Sequence, residues 1–291
     1  MTPYNPILKT IHQCLILFKI DGILISMFSK TPIGKFLTPS HTLFPKDDNI
    51  IVTRGNVRFQ LNRSDYMQWY IYAHLKDDVW KDALVGIEKK EKTHILDIGS
   101  NVGAFSFQLA SKLKNHSKIH AFDPNPYIHR LFSQNLALNP TCASHIIFNP
   151  LAVGDAHREV EFSFEDINSG GGGIGKESSH SLSVQMTTVD QYVSDHQISD
   201  VHFMKIDVEG FEPFVIDGAK KTIEKYKPAI HIEITESWHQ KNNTSSQSIF
   251  SFLESLGYSF YLETEEGYRH VASPFSLAQS NHQLNFLAKH G

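Results

Sequence analysis

The sequence predicts an α/β fold, a mostly parallel sheet with helices on both faces. Two observations predict it. From Lys92 onward, short apolar runs alternate with helical stretches, the pattern of successive βα units. The first strand-to-helix junction also carries glycines at 99 and 103, and the second strand ends on an acidic residue roughly 20 positions later, as nucleoside-binding sheets do.

Composition sets the outer limits. The 291 residues are 41% hydrophobic and 20% charged, a globular balance that excludes a disordered or collagen-like chain. With 27 Lys+Arg against 31 Asp+Glu, the formal net charge of -4 gives no overall positive field, so nucleic acid is not an expected partner. Cys14 and Cys142 are too few and too far apart for a disulfide framework, a thiolate zinc site or an iron-sulfur centre, which points to a reducing cytoplasm.

Residues 7–28 are rich in Ile, Leu and Phe but interrupted by Lys9, His12, Lys19 and Asp21. Lys19 and Asp21 would fall near a bilayer centre without an evident partner, so the segment reads as a helix and not a transmembrane span. Its Leu8, Ile11, Leu15 and Phe18 recur at spacings of three and four. That suits packing on its own domain, with peripheral membrane contact as the other reading. Without a basic start or a small-residue cleavage site, it is not a signal peptide. Pro32, Pro39 and Pro45 make 31–48 an irregular connection. Residues 50–52 and the alternating 57–61 form a hairpin about Arg54-Gly55-Asn56. Ser64 or Asp65 caps a helix whose aromatic stripe, Tyr66, Trp69, Tyr70 and Tyr72, reads as core. Residues 1–84 are an N-terminal accessory region, and 85–291 are the main domain.

In that domain, 94–98, 118–122, 146–153, 202–206 and 229–234 are core strands, with helices at 104–114 and 127–138. Strands 258–262 and 284–288 close the sheet as an antiparallel pair, since no long crossover separates them. Residues 159–164 and 183–187 are extra strands flanking a glycine-rich loop, 168–175. That loop is a mobile lid or an exposed linker.

The first junction reads Leu96-Asp97-Ile98-Gly99-Ser100-Asn101-Val102-Gly103-Ala104-Phe105. Gly99 and Gly103 let a ligand lie against exposed backbone at a helix N-terminus. The second strand ends in Asp123-Pro124, where a carboxylate accepts the hydroxyls of a ribose. A dinucleotide fingerprint wants glycine at the third and sixth positions of the turn; here these are Asn101 and Ala104. Asp97 repels a pyrophosphate but suits the cationic amine of a methionine moiety, so S-adenosylmethionine fits better than NAD. The cofactor candidates are Asp97, Gly99, Ser100, Asn101, Gly103, Phe105, Asp123, Pro124, Asp155 and Asp207. Asp155 enters by position, at the Val153-Gly154-Asp155 turn.

The string 96–105, Phe122-Asp123-Pro124-Asn125-Pro126, Leu151-Ala152-Val153-Gly154-Asp155 and above all Lys205-Ile206-Asp207-Val208-Glu209-Gly210-Phe211-Glu212 resemble the FkbM family of S-adenosylmethionine-dependent methyltransferases. The resemblance spans 95–288 and departs from the family at Asp123, where many members carry Glu. It implies a class I methyltransferase fold, Rossmann-like and seven-stranded. It also implies methyl transfer to a hydroxyl of a sugar, glycolipid or other small natural product. The acceptor must shed a proton, and ligands of open α/β sheets sit at the strand C-termini. Asp207, Glu209 and Glu233 are therefore the catalytic candidates. Lys205 is an ion-pair partner. His231 and His239 lack the spacing of a zinc site, and no metal is assigned. An NAD-dependent oxidoreductase and a non-catalytic S-adenosylmethionine-binding subunit are the alternatives.

Overall fold

The computed structural model describes residues 6–17, 21–28, 37–74, 79–114, 116–165, 168–175, 180–280 and 283–291. Strands β1 (Asn49–Arg54) and β2 (Val57–Asn62) pair antiparallel about Gly55, whose φ of 59° no β-branched residue adopts easily. Downstream, β3 (His94–Ile98), β4 (Lys118–Phe122) and β5 (Ile146–Asn149) are followed by β6 (Ala152–Val153), β7 (Arg158–Glu165), β8 (Asn168–Ile174) and β9 (His180–Thr187). The remaining strands are β10 (Val201–Ile206), β11 (Ala229–Ile234), β12 (Tyr258–Thr264), β13 (Gly267–Val271) and β14 (Leu284–His290).

The large sheet has the order β13-β12-β14-β11-β10-β3-β4-β5. Strands β5, β4, β3, β10 and β11 run parallel; β14 pairs antiparallel with β11 and with β12, and β12 pairs antiparallel with β13. Chain order jumps between β3 and β10, which makes their C-terminal ends the switch point where open sheets bind ligands. The central parallel strands β3, β10 and β11 are buried on both faces, as their runs of Ile, Leu and Phe require.

The sheet has eight strands where seven are expected, because Gly267 (φ 119°) turns the chain back into β13 at the outer edge. The expected strand 146–153 is broken. Pro150 lacks an N–H, and Leu151 N donates to Asn149 O (2.8 Å) to close a tight turn. Beyond it, β6 leaves for a second sheet of order β6-β9-β7-β8. The glycine stretch is not a loop. As β8 it pairs with β7, Phe162 opposite Ile174 and Ser163 opposite Gly173. Its lack of side chains allows close contact: a Cβ on Gly170 would lie 2.3 Å from Met67 Cγ, and one on Gly172 2.8 Å from Phe162 Cζ.

Residues 7–28 form two helices, Pro6–Leu17 and Asp21–Phe28. Of the expected stripe, Leu15 is buried and Leu8 half-buried, Ile11 is exposed, and Phe18 lies outside the described residues. Asp21 begins the second helix and is buried, held by Arg63 Nη1 (2.6 Å) and the Tyr72 hydroxyl (2.6 Å). No helix among the described residues is long and apolar enough to cross a membrane. The accessory region shares a core with β3 and β4. Phe59 and Leu61 of β2 are fully buried with Ile95, Phe107 and Phe132, each such side chain contributing about 1.5–3 kcal/mol. Asn135 and Asn139 of the helix Pro126–Leu138 and its end accept from the β2 backbone at Gln60 N (2.7 Å) and Arg58 N (2.9 Å).

Candidate active site

A cleft of 730 Å³ opens over the switch point, within the size range of small-molecule sites. The first sheet end builds one half of it. Gly99 (φ 84°) turns the chain off β3, and a Cβ there would stand 1.7 Å from the Asp207 carbonyl oxygen, so only glycine fits. Gly99 N and Ser100 N donate to Phe122 O (3.0 and 2.9 Å), tying the turn to the end of β4. Asn101 takes the left-handed region (φ 48°), which Asn tolerates better than most residues. Its N–H donates to Asp123 Oδ2 (2.9 Å), and Asn125 N donates to Oδ1 (2.9 Å). Burial pushes the Asp123 carboxyl up to about 7 against the opposing pull of those two N–H groups.

This half fits an adenosine cofactor. Each Asp123 oxygen keeps lone-pair capacity for a ribose hydroxyl, and Ser100 Oγ is buried without a hydrogen-bond partner among the described residues. Gly99, Ser100, Asn101, Phe105, Asp123 and Pro124 all line the cleft. Asp97, Gly103 and Asp155 do not. Asp97 is fully buried beneath the wall and accepts from Ser106 Oγ (2.6 Å), so it reaches a ligand only through an intermediary. Gly103 (φ 88°) serves packing: a Cβ would lie 2.6 Å from the Phe107 ring. Asp155 sits on the surface, paired with Arg158 (3.2 Å), because β6 carries it into the second sheet.

The other half is acidic. Asp207 follows β10, Glu209 sits in the next turn and Glu233 lies in β11. One carboxylate oxygen from each falls within 4.8 Å of the other two. That spacing can share a cation, but Lys205 Nζ already stands 2.8 Å from Asp207 Oδ2. Burial first, then the charges of Asp207 and Glu209, push Glu233 up to about 9, so it holds its proton at neutral pH. Gln283 Nε2 donates to its Oε1. On the same face of β11, His231 is buried with Nε2 3.5 Å from Glu263 Oε2.

The turn that presents Glu209 is left-handed at both Glu209 (φ 56°) and Gly210 (φ 102°). Such a turn is costly for a residue with a Cβ and needs outside support. Glu212 provides it, its Oε1 accepting from Val208 N (3.0 Å) and Gly210 N (3.1 Å). Fully buried His239 donates from Nε2 to Glu212 Oε2 (2.7 Å), and Asn242 Nδ2 donates to Gly210 O (3.1 Å). Sequence reasoning missed Glu212, His239 and Asn242 as site residues; the one available signal was a carboxylate two residues after the Glu-Gly pair. It also misread the aromatic stripe. Tyr72 is buried, but Tyr66 and Tyr70 are 43% and 44% exposed and line the cleft with Gly170, Gly171, Gly172 and Gly173.

The family model described as Methyltransferase FkbM domain matches residues 97–260, more than half of the chain. The hexuronic acid methyltransferase AglP of Haloferax volcanii is 26% identical over 140 residues, 47% of this chain and 55% of that protein. The chain thus spans about half the length of the curated relative it matches, 55%. A crystal structure of methyltransferase FkbM from Methylobacillus flagellatus KT superposes with a TM-score of 0.44 at 13% identity, over 68% of this chain and 44% of that one. The structure of M. jannaschii TYW2 in complex with AdoMet gives 0.41 at 14% identity, over 85% and 89%. The family match removes the NAD-dependent reading and makes S-adenosylmethionine the cofactor: the chain belongs to the FkbM family of methyltransferase domains.

Proposed function

We propose that the protein transfers the methyl group of S-adenosylmethionine to a hydroxyl oxygen of a sugar. The observation that carries the reading is the meeting, in one cleft, of the Asp123 nucleoside seat and the Asp207, Glu209 and Glu233 carboxylates. The relative named as a hexuronic acid methyltransferase supports a sugar ring as acceptor; the cleft residues of this chain decide the charge that ring carries.

The bound cofactor supplies an electrophilic methyl on a positively charged sulfur. Gly99, Ser100 and Asn101 would hold its nucleoside end against their backbone, and Asp123 would hold the ribose, so alignment would be set before the acceptor arrives. Methyl transfer to an acceptor oxygen would displace that oxygen's proton, which must go to a base. We assign that base as Glu209, which the turn after β10 presents within 4.8 Å of Asp207 and of protonated Glu233. Protonated Glu233 donates to an acceptor oxygen and orients it, while Asp207 and Lys205 form the wall behind.

The test is incubation of the full chain with methyl-labelled donor and a panel of hexose glycosides. Label appears on a sugar, and Glu209→Gln lowers the rate at least ~100-fold, as loss of a general base does, while donor affinity by calorimetry stays within about tenfold. Labelling of a non-sugar acceptor alone overturns the sugar reading, and failure to bind the donor overturns the activity.

A further inference from the structure

The aromatic stripe and the glycine run stand out in the sequence, and donor binding uses neither. Both line the cleft. We propose that Tyr66, Tyr70 and the bare backbone of residues 170–173 form the acceptor subsite, and that it takes an uncharged hexopyranose ring and rejects a uronate. This rests on the sugar-methylation reading and specifies its acceptor.

Tyr66 and Tyr70 stand four residues apart on the helix Tyr66–His74, and so share one face. On the same helix the Tyr72 hydroxyl donates to Asp21 (2.6 Å), and Trp69 Nε1 donates to Pro39 O (2.8 Å). Tyr66 packs on Trp69 and His41, with ring centroids 6.0 and 5.3 Å away. Two large, nearly half-exposed aromatic rings held in a cleft wall offer a stacking surface.

The helix and β8 are fastened together. Asp65, just before the helix, accepts from Ser169 N (2.7 Å), Ser169 Oγ (2.9 Å) and Gln68 N (2.9 Å). Gly170 packs directly on Met67. Strand β8 is the edge of its sheet, paired only with β7 among the described residues. Without side chains at 170–173, a ligand on this wall meets peptide N–H and C=O groups. A pyranose ring matches both surfaces: its axial C–H face suits an aromatic ring, and its hydroxyls suit backbone donors and acceptors.

Charge sets the selectivity. The ionisable side chains lining the cleft are Asp123, Glu165, Asp207, Glu209, Glu233 and Glu263, with Lys205 and His231 as the cationic candidates. Lys205 is paired with Asp207, and His231 lies against Glu263. No arginine lines the cleft among the described residues. A uronate would therefore bring a further negative charge into an acidic cleft without a bidentate partner to receive it.

Saturation-transfer NMR on the full chain, loaded with S-adenosylhomocysteine, tests this with methyl glucoside, methyl galactoside, methyl mannoside and glucuronate as probes. At least one methyl hexoside receives transfer, strongest on ring C–H protons. Tyr66→Ala and Tyr70→Ala each weaken it roughly tenfold, the size of one lost ring contact, while Tyr70→Phe retains it. Glucuronate receives none. The inference is overturned by transfer to glucuronate equal to that of the hexosides, by alanine variants that bind as wild type does, or by no hexoside binding at all. Calorimetry with S-adenosylhomocysteine on each variant reports the fold and the donor seat separately: donor binding with no tyrosine-dependent sugar contact sinks the subsite alone, and lost donor binding in wild type sinks the proposed function.

Discussion

Replacing Glu233 by Gln should make the protein more stable at neutral pH, although it removes a proposed catalytic group. Glu233 is 9% exposed, beside Asp207 and Glu209, and its carboxyl is pushed from an ordinary 4.5 up to about 9. A carboxyl whose folded value is raised contributes stability that is complete below 4.5 and lost as pH climbs through about 9. The loss accumulates at about 1.4 kcal/mol per pH unit and reaches roughly 3 kcal/mol at pH 7. Gln has the same shape and no proton to lose, and its amide oxygen still accepts from Gln283. Urea unfolding of wild type and variant at intervals from pH 5 to 9 reads the difference directly. The curves should lie close at pH 5 and separate as pH rises, with the variant above. Parallel curves would refute the reasoning, because they would mean that Glu233 ionises in the folded state as it does in the unfolded one.

Two further outcomes follow from other parts of the cleft. Glu212→Ala strips the partner from Val208 N, Gly210 N and His239. With about 1–3 kcal/mol at stake for each buried group left unsatisfied, the left-handed turn should slip. Methyl transfer should then fall far more than donor affinity, as measured by kinetics and calorimetry on the same preparation. Asp123 titrates near 7, and below that pH its protonated carboxyl loses an acceptor for the ribose. Donor affinity should weaken up to about tenfold per pH unit below 7 in wild type and stay flat in Asp123→Asn.

The meeting of Gly99 to Asn101 with Asp123 was legible in the sequence because βα geometry is local: a strand, a tight turn and a helix fix the first three, and the next strand end brings Asp123 beside them. The carboxylates at 207, 209 and 233 were legible for a similar reason, since strand C-termini at a switch point face one cleft. Asp155 was misplaced because Pro150 ends β5 early and sends the chain into another sheet. Residues 168–175 read as a loop because glycine disfavours strands, and the opposing reason, close contact with Met67 and Phe162, exists only in three dimensions. Helical spacing placed Tyr66 and Tyr70 on one face, yet spacing does not say whether that face meets a core or a cavity. The Glu212 and His239 contact joins residues separated by 27 positions and has no local signature.

The most direct test of the central claim is a crystal structure of the full chain with S-adenosylhomocysteine. The account predicts the ribose hydroxyls on Asp123, the nucleoside against the backbone of Gly99 to Asn101, and the sulfur directed toward Asp207, Glu209 and Glu233. A nucleoside bound outside this cleft, or a sulfur pointing away from those three carboxylates, would contradict it.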